Sequence, residues 1–166
     1  MNPVPLLAEG YERSADGLTY TVRLKKGVQF HDGTEFDAEA VRLNFDRVLR
    51  PNSGLTRRAI YTFIDSVKVV DKYTVQFTLK YPHGGFIRRL AMNSTMMVCP
   101  SLIKAAGGNK AGLALKSCGT GPYIQEEFNP SEKIRRQKDP NSASRVCLSS
   151  TALPLFPFRK TLRAPQ

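Results

Sequence analysis

The sequence predicts an α+β fold, with a largely antiparallel sheet and helices packed on it, on three observations. Leu18, Tyr20, Val22 and Leu24 alternate with Thr19, Thr21 and Arg23, the period-two pattern of a strand with one buried face. Tyr73, Val75, Phe77 and Leu79 repeat that pattern against Thr74, Gln76 and Thr78. Between the two, Ala38, Val41, Phe45 and Val48 recur at spacings of three and four, which places them on one face of a helix.

Taken in order, the first elements are two strands over residues 6–13 and 18–25, joined by Ser14-Ala15-Asp16-Gly17. The glycine of that turn supplies the positive backbone angle of a tight hairpin. A basic, glycine-broken loop follows and ends at Asp32-Gly33. A helix is predicted over 38–49, with Asp37 placed to cap its free amides, Glu39 favoured by the positive end of its dipole, and Pro51 and Gly54 ending it. A short helical turn is expected over 57–63, then a second hairpin from 64–70 and 73–79 that turns at Asp71-Lys72.

Pro82 to Gly85 breaks the pattern, and 86–92 reads as a short helix with Phe86 and Leu90 on one side. The apolar run 95–99 reads as a buried strand. Pro100 suits the first position of another short helix ending at Gly107-Gly108. The last predicted strand is 123–128.

Several of these stretches together resemble the extracytoplasmic solute-binding proteins of family 5, which deliver peptides, nickel and related solutes to ABC importers. The resemblance lies in Pro5-Leu6-Leu7-Ala8-Glu9, Asp16-Gly17, the run 25–34, the strand, loop and helix order of 18–41, and Gly119-Thr120-Gly121-Pro122-Tyr123. Each piece is common alone; the order and separations make the set specific. The resemblance implies a periplasmic-binding-protein-like II fold in which this region is the smaller lobe appended to a two-lobed scaffold that closes over solute. It also implies a peptide or nickel-chelate solute, an ABC permease as partner, and a periplasmic or extracytoplasmic location. Peptide, nickel-chelate, glutathione and sugar binders share the quoted motifs, so the solute stays open.

The resemblance spans about residues 5–137. Family members continue with a run of the form Asn-Pro-x-Tyr-Trp, where this chain has Lys138-Asp139-Pro140-Asn141-Ser142. Residues 1–137 therefore read as a partial solute-binding lobe. Residues 138–166, serine-rich and proline-broken without sustained periodicity, read as a divergent, irregular tail of a frameshifted or truncated frame. About two thirds of a family member would then be missing, and a cleft with one wall is expected not to bind solute tightly. The first residues show no basic region followed by a long apolar run, so no secretory signal peptide is read there.

Composition bounds the alternatives. One core is expected from 166 residues with 41% hydrophobic content, and no apolar window approaches a membrane span. The formal charge of +11 raises a nucleic-acid-binding module as a second reading. Its basic residues are scattered, however, and on the 38–49 helix Glu39 and Asp46 interrupt Arg42, Arg47 and Arg50, so no nucleic acid is expected. A third reading is self-association through apolar surface that missing lobes would otherwise cover.

Candidate chemistry is sparse. Arg57-Arg58 is the ligand-binding candidate, since paired guanidinium groups suit the carboxylate of a peptide or metal chelate; the alternative is an exposed basic pair opening a helix. His31-Asp32 reads as a solvent-facing turn, because neighbours on an extended loop diverge, and His83 has no second ligand at helix spacing. No metal site, no cofactor and no catalytic residues are predicted. The glycine loop at 119–121 lacks the Lys-Ser/Thr pair of a phosphate loop and reads as a structural turn. Cys99 reads as a buried thiol, with pairing to Cys118 in an oxidising compartment as the alternative; connectivity is open.

Overall fold

A computed structural model describes residues 5–51, 56–107, 113, 116–129 and 133–142. Six strands and three helices lie among them: β1 (Ala8–Arg13), β2 (Thr19–Leu24), α1 (Ala38–Leu49), β3 (Ile64–Asp71), β4 (Thr74–Leu79), α2 (Phe86–Leu90), α3 (Pro100–Ala105), β5 (Tyr123–Asn129) and β6 (Lys133–Lys138). Two 3-10 turns, Thr56–Ile60 and Asn93–Thr95, complete the set. The α+β expectation holds. The two predicted hairpins stand side by side in one antiparallel sheet of order β1-β2-β4-β3.

The first hairpin turns at Gly17, whose φ of 71° is the left-handed conformation glycine takes without cost. Ser14 closes it twice, its hydroxyl accepting from the Thr19 amide at 2.9 Å while its carbonyl accepts from the Gly17 amide at 2.9 Å. In the centre of the sheet Val22 faces Val75 and Tyr20 faces Phe77. The alternation read in both strands is therefore one shared apolar face.

Helix α1 covers that face. Asp37 caps it by accepting from the Ala40 amide at 2.8 Å, as its position predicts. Ala38, Ala40, Val41 and Phe45 are buried beneath it, and Val48 is half-buried. Phe86, on α2 and fully buried, joins the layers: its ring lies 4.6 Å from Tyr20, 5.3 Å from Phe77 and 6.1 Å from Phe63. The tilted contact with Tyr20 and the edge-on ones with Phe77 and Phe63 add to the free energy of burial.

Two expectations need correction. Residues 96–99 are not a strand, and Asn44 explains why. Its side-chain amide accepts from the Val98 N–H at 3.0 Å and donates to the Val98 carbonyl at 2.9 Å, occupying the place of a neighbouring strand. The same amide also donates to the Ala40 carbonyl at 2.9 Å, which anchors it to the buried side of α1. An apolar run fixed by one side chain needs no ladder.

The second correction is an added strand. β6 pairs antiparallel with β5 in a separate two-stranded ribbon, and the pairing reaches Lys138. Described contacts continue past it: Asp139 is buried, its amide donating to the Pro122 carbonyl at 2.9 Å. Of the irregular tail expected over 138–166, Lys138 ends β6 and residues 143–166 lie outside the described residues. No helix among the described residues is long and apolar enough to cross a membrane.

Candidate functional site

Two features at the edge of the core bring polar side chains from distant segments together. The first is the crossing where residues 116–123 leave α3 for the ribbon. Cys99 and Cys118 form a disulfide there, with Cα atoms 5.4 Å apart, and the Cys99 amide donates to the Cys118 carbonyl at 3.1 Å. Cys99 is fully buried, as its apolar neighbourhood predicts, but as half of a cystine and not as a free thiol.

His31 holds the other side of this crossing, and the solvent-facing reading of it is overturned. Its side chain is 8% exposed. Its backbone amide donates to the Gly119 carbonyl at 2.9 Å, and its Nδ1 accepts from the Gly119 amide at 3.3 Å. An amide can only donate, so Nδ1 is the bare nitrogen, and Nε2–H donates to the Gly121 carbonyl at 2.8 Å. Asp139 Oδ2 stands 4.0 Å from Nε2. The Gly119 backbone is pressed close to the Met97 carbonyl, which would lie 3.2 Å from any added Cβ. Its donor and acceptor are both spent on His31, so the loop is a structural crossing.

Asp32, next in sequence, turns away from the imidazole. Its Oδ1 accepts from the Thr34 amide at 3.0 Å and the Thr34 hydroxyl at 2.6 Å, and its Oδ2 accepts from the Ser101 hydroxyl. Partial burial pushes this carboxyl up, but the hydrogen bonds from Ser101 and Thr34 outweigh it and hold the group below the usual carboxylate range. Asp32, Cys99 and Cys118 have ligand atoms within 4.8 Å of one another. Both sulfurs are committed to the disulfide, so the cluster is a staple between the loop before α1, the start of α3 and the crossing.

The second feature is a groove between α1 and the segment 94–97, lined among others by Arg47, Val48, Tyr61, Ser94, Met96 and Met97. The Tyr61 and Ser94 hydroxyls hydrogen-bond to each other, and the Thr95 hydroxyl donates into the carbonyls of Leu90 and Met92 at 2.7 and 2.6 Å. Arg47 brings a cation to this wall. Its Nε is shielded from solvent and has no hydrogen-bond partner, and burial lowers the pKa of the guanidinium.

The sequence candidates Arg57 and Arg58 sit in the 3-10 turn after α1. Arg58 is exposed and its Nε donates to the Leu49 carbonyl at 3.3 Å, satisfying one carbonyl at the end of α1. The Arg57 side chain is outside the described positions. From the sequence, His31 reads only as part of a solvent-facing turn, and Arg47 is not singled out. His31 lies 88 residues from Gly119, a pairing that no local pattern encodes. Arg47 reads as an ordinary basic residue near a helix C-terminus, where the dipole favours it.

Comparison with known proteins adds three findings. A family model described as "Bacterial extracellular solute-binding proteins, family 5 Middle" matches residues 2–146. The "Glutathione-binding protein GsiB" of Salmonella paratyphi A is 42% identical over 133 residues, which cover 80% of this chain and 25% of that protein. The chain thus spans about a quarter of the length of such curated relatives. Among solved structures, NikZ from Campylobacter jejuni in complex with Ni(L-His) superposes with a TM-score of 0.76 at 25% identity, covering 83% of this chain and 27% of that one. The periplasmic binding protein DppA from Helicobacter pylori, in complex with the peptide STSA, superposes with a TM-score of 0.71 at 29% identity, covering 83% and 31%.

Proposed function

This chain belongs to family 5 of the bacterial extracellular solute-binding proteins, and from that premise we propose that it forms one wall of the solute cleft in the substrate-binding component of an ABC importer. The solute class is a peptide of the glutathione kind. A 42% identity to a glutathione-binding protein over 80% of the chain carries that reading. The chain works outside the cytoplasm, where the Cys99–Cys118 disulfide persists. No reaction is catalysed.

These 166 residues alone do not grip solute tightly. The groove between α1 and 94–97 encloses ≈ 20 Å³, room for about one or two waters, whereas a ligand cleft is typically about 300 Å³ or more. Large apolar side chains stand more than half exposed, among them Leu6, Val70, Tyr81 and Met96. In relatives about three times as long, such surfaces are available for the remaining lobes to cover. The same surfaces favour self-association when the chain is alone. Arg57 and Arg58 remain candidates for contact with a solute carboxylate at the rim of this wall.

A chimera tests the reading. Residues 5–142 replace the matching stretch of the Salmonella paratyphi A glutathione-binding protein, and glutathione binding is measured by calorimetry. Retained binding within about tenfold of the unaltered protein, a loss of no more than about 1.4 kcal/mol, supports the assignment. A folded chimera that closes on no glutathione overturns it.

A further inference from the structure

The staple at the crossing is made of side chains that also form a metal-ligand set. Asp32, Cys99 and Cys118 bring a carboxylate oxygen and two sulfurs within 4.8 Å of one another, and among the described residues no other group of three such side chains converges so closely. While the disulfide stands, both sulfurs are spent. What holds the three residues in place, however, does not depend on the bond between the sulfurs.

The Cys99 amide donates to the Cys118 carbonyl at 3.1 Å, which keeps the Cα atoms near their 5.4 Å separation whether or not the sulfurs are joined. Gly119, next to Cys118, is tied to His31 at both ends of its backbone: its carbonyl accepts from the His31 amide at 2.9 Å and its amide donates to Nδ1 at 3.3 Å. On the other side, the Ile103 amide donates to the Cys99 carbonyl at 3.1 Å and joins Cys99 to the start of α3. Asp32 is fixed by Thr34 on Oδ1 and by the Ser101 hydroxyl on Oδ2. Among the described residues Oδ2 accepts from Ser101 alone, which leaves it a lone pair. A hydroxyl that orients a carboxylate in this way is the outer support a metal ligand requires.

From this geometry we propose that the reduced chain binds a thiophilic divalent cation of the zinc class, with the Cys99 and Cys118 thiolates and the Asp32 carboxylate as ligands and a water in the fourth position. Opening the disulfide takes two electrons and two protons from a dithiol, which becomes its own disulfide while Cys99 and Cys118 become thiols. Cation binding then releases those two protons to solvent; Asp32, already a carboxylate, releases none. Two sulfur donors and one oxygen suit zinc's tetrahedral shell and disfavour magnesium and calcium, which take oxygen ligands. Burial is graded across the set, with Cys99 buried, Cys118 half-buried and Asp32 exposed, so the cation enters with its water from the Asp32 side. The same residues thus close the crossing by a covalent bond when oxidised and by a cation when reduced. This site goes beyond the solute-binding reading and does not depend on it.

Cobalt(II) and zinc test this on the 166-residue chain carrying Cys147→Ser, which removes the remaining cysteine. The chain is reduced with dithiothreitol, freed of it by gel filtration without oxygen, and titrated with cobalt(II) while thiolate-to-cobalt charge-transfer and tetrahedral ligand-field absorption are recorded. The expected result is saturation at one equivalent with both absorptions present, two protons released per cation, and displacement of cobalt by zinc. The oxidised chain should show neither absorption. Asp32→Asn should weaken binding by about tenfold or more, and Cys118→Ser should remove the saturable charge-transfer signal. No saturable absorption in the reduced chain, equal binding by the oxidised chain, or unaltered affinity in Asp32→Asn overturns the proposal. Amide NMR of the metal-free reduced sample should keep the dispersed signals of β2 and β4; their collapse overturns it as well, because the ligands are then not held by the fold.

Discussion

The four-stranded sheet and the β5–β6 ribbon are both antiparallel, yet they join the molecule by opposite means. In the sheet, Tyr20, Val22, Val75 and Phe77 are each at most 5% exposed, and α1 and α2 seal them from above. In the ribbon, β6 offers only Ile134 as an apolar residue, half-buried, amid Lys133, Arg135, Arg136, Gln137 and Lys138. Its attachment is a disulfide, the His31 imidazole and the buried Asp139. Apolar burial gives the sheet independence, while covalent and polar links give the ribbon only a place. For the proposed role as one wall of a cleft, this pairs a rigid sheet with a crossing whose path is fixed at a few points.

The largest expected effect comes from breaking the sheet at its aromatic hub. Phe86→Ala removes a ring with no exposed surface and should cost about 4 kcal/mol in urea unfolding, with the ribbon losing protection at the same denaturant concentration. If the ribbon kept its amide protection while the sheet unfolded, the dependence argued above would be reversed.

Opening the staple should act in one direction only. Replacing Cys99 and Cys118 together by alanine removes a link across 19 residues and should cost about 3 kcal/mol, chiefly by freeing the unfolded chain. Hydrogen exchange at 119–139 should speed up with little change at β2 and β4. Equal acceleration in the central strands would show that the staple supports the core as well.

Asn44→Leu probes the joint between the two. It fits the apolar side of α1 but leaves the Val98 amide and carbonyl without their partner, at a cost of about 2 kcal/mol. Amides at 94–99 should exchange faster than those of α1. A neutral effect would show that residues 96–99 find another partner.

The smallest effect concerns pH. Asp32 has its carboxyl pKa lowered in the folded state, so its contribution is fully present above its unfolded value near about 4 and is lost as pH falls through the folded one. The urea midpoint should therefore decline on acidification below about pH 4, and Asp32→Asn should flatten part of that decline. An unchanged pH profile in the variant would remove Asp32 from the staple's energetics.

This division also decides what the sequence makes legible. The period-two runs of β2 and β4 and the three-and-four spacing of α1 are local records of one buried face, so the sheet and its helix are read almost residue for residue. β6 leaves no such record because a strand exposed at every position but Ile134 needs no apolar alternation. The 95–99 run misleads because apolar composition alone does not distinguish a strand from a segment clamped by one asparagine. His31 and Asp139 escape for another reason: their partners lie about ninety and seventeen residues away, at Gly121 and Pro122, and only the fold brings them together. The glycine-loop motif marks where the crossing occurs without naming what holds it.

The proposed function makes this chain one wall of a solute cleft that alone does not bind tightly. Calorimetric titration of the folded 166-residue chain with glutathione, a dipeptide and nickel-histidine tests it most directly. The account predicts no saturable heat tighter than the order of 1 mM, because a single open wall neither buries the ligand nor repays the cost of ordering it. Micromolar, stoichiometric binding of any of the three by the monomeric chain would contradict it.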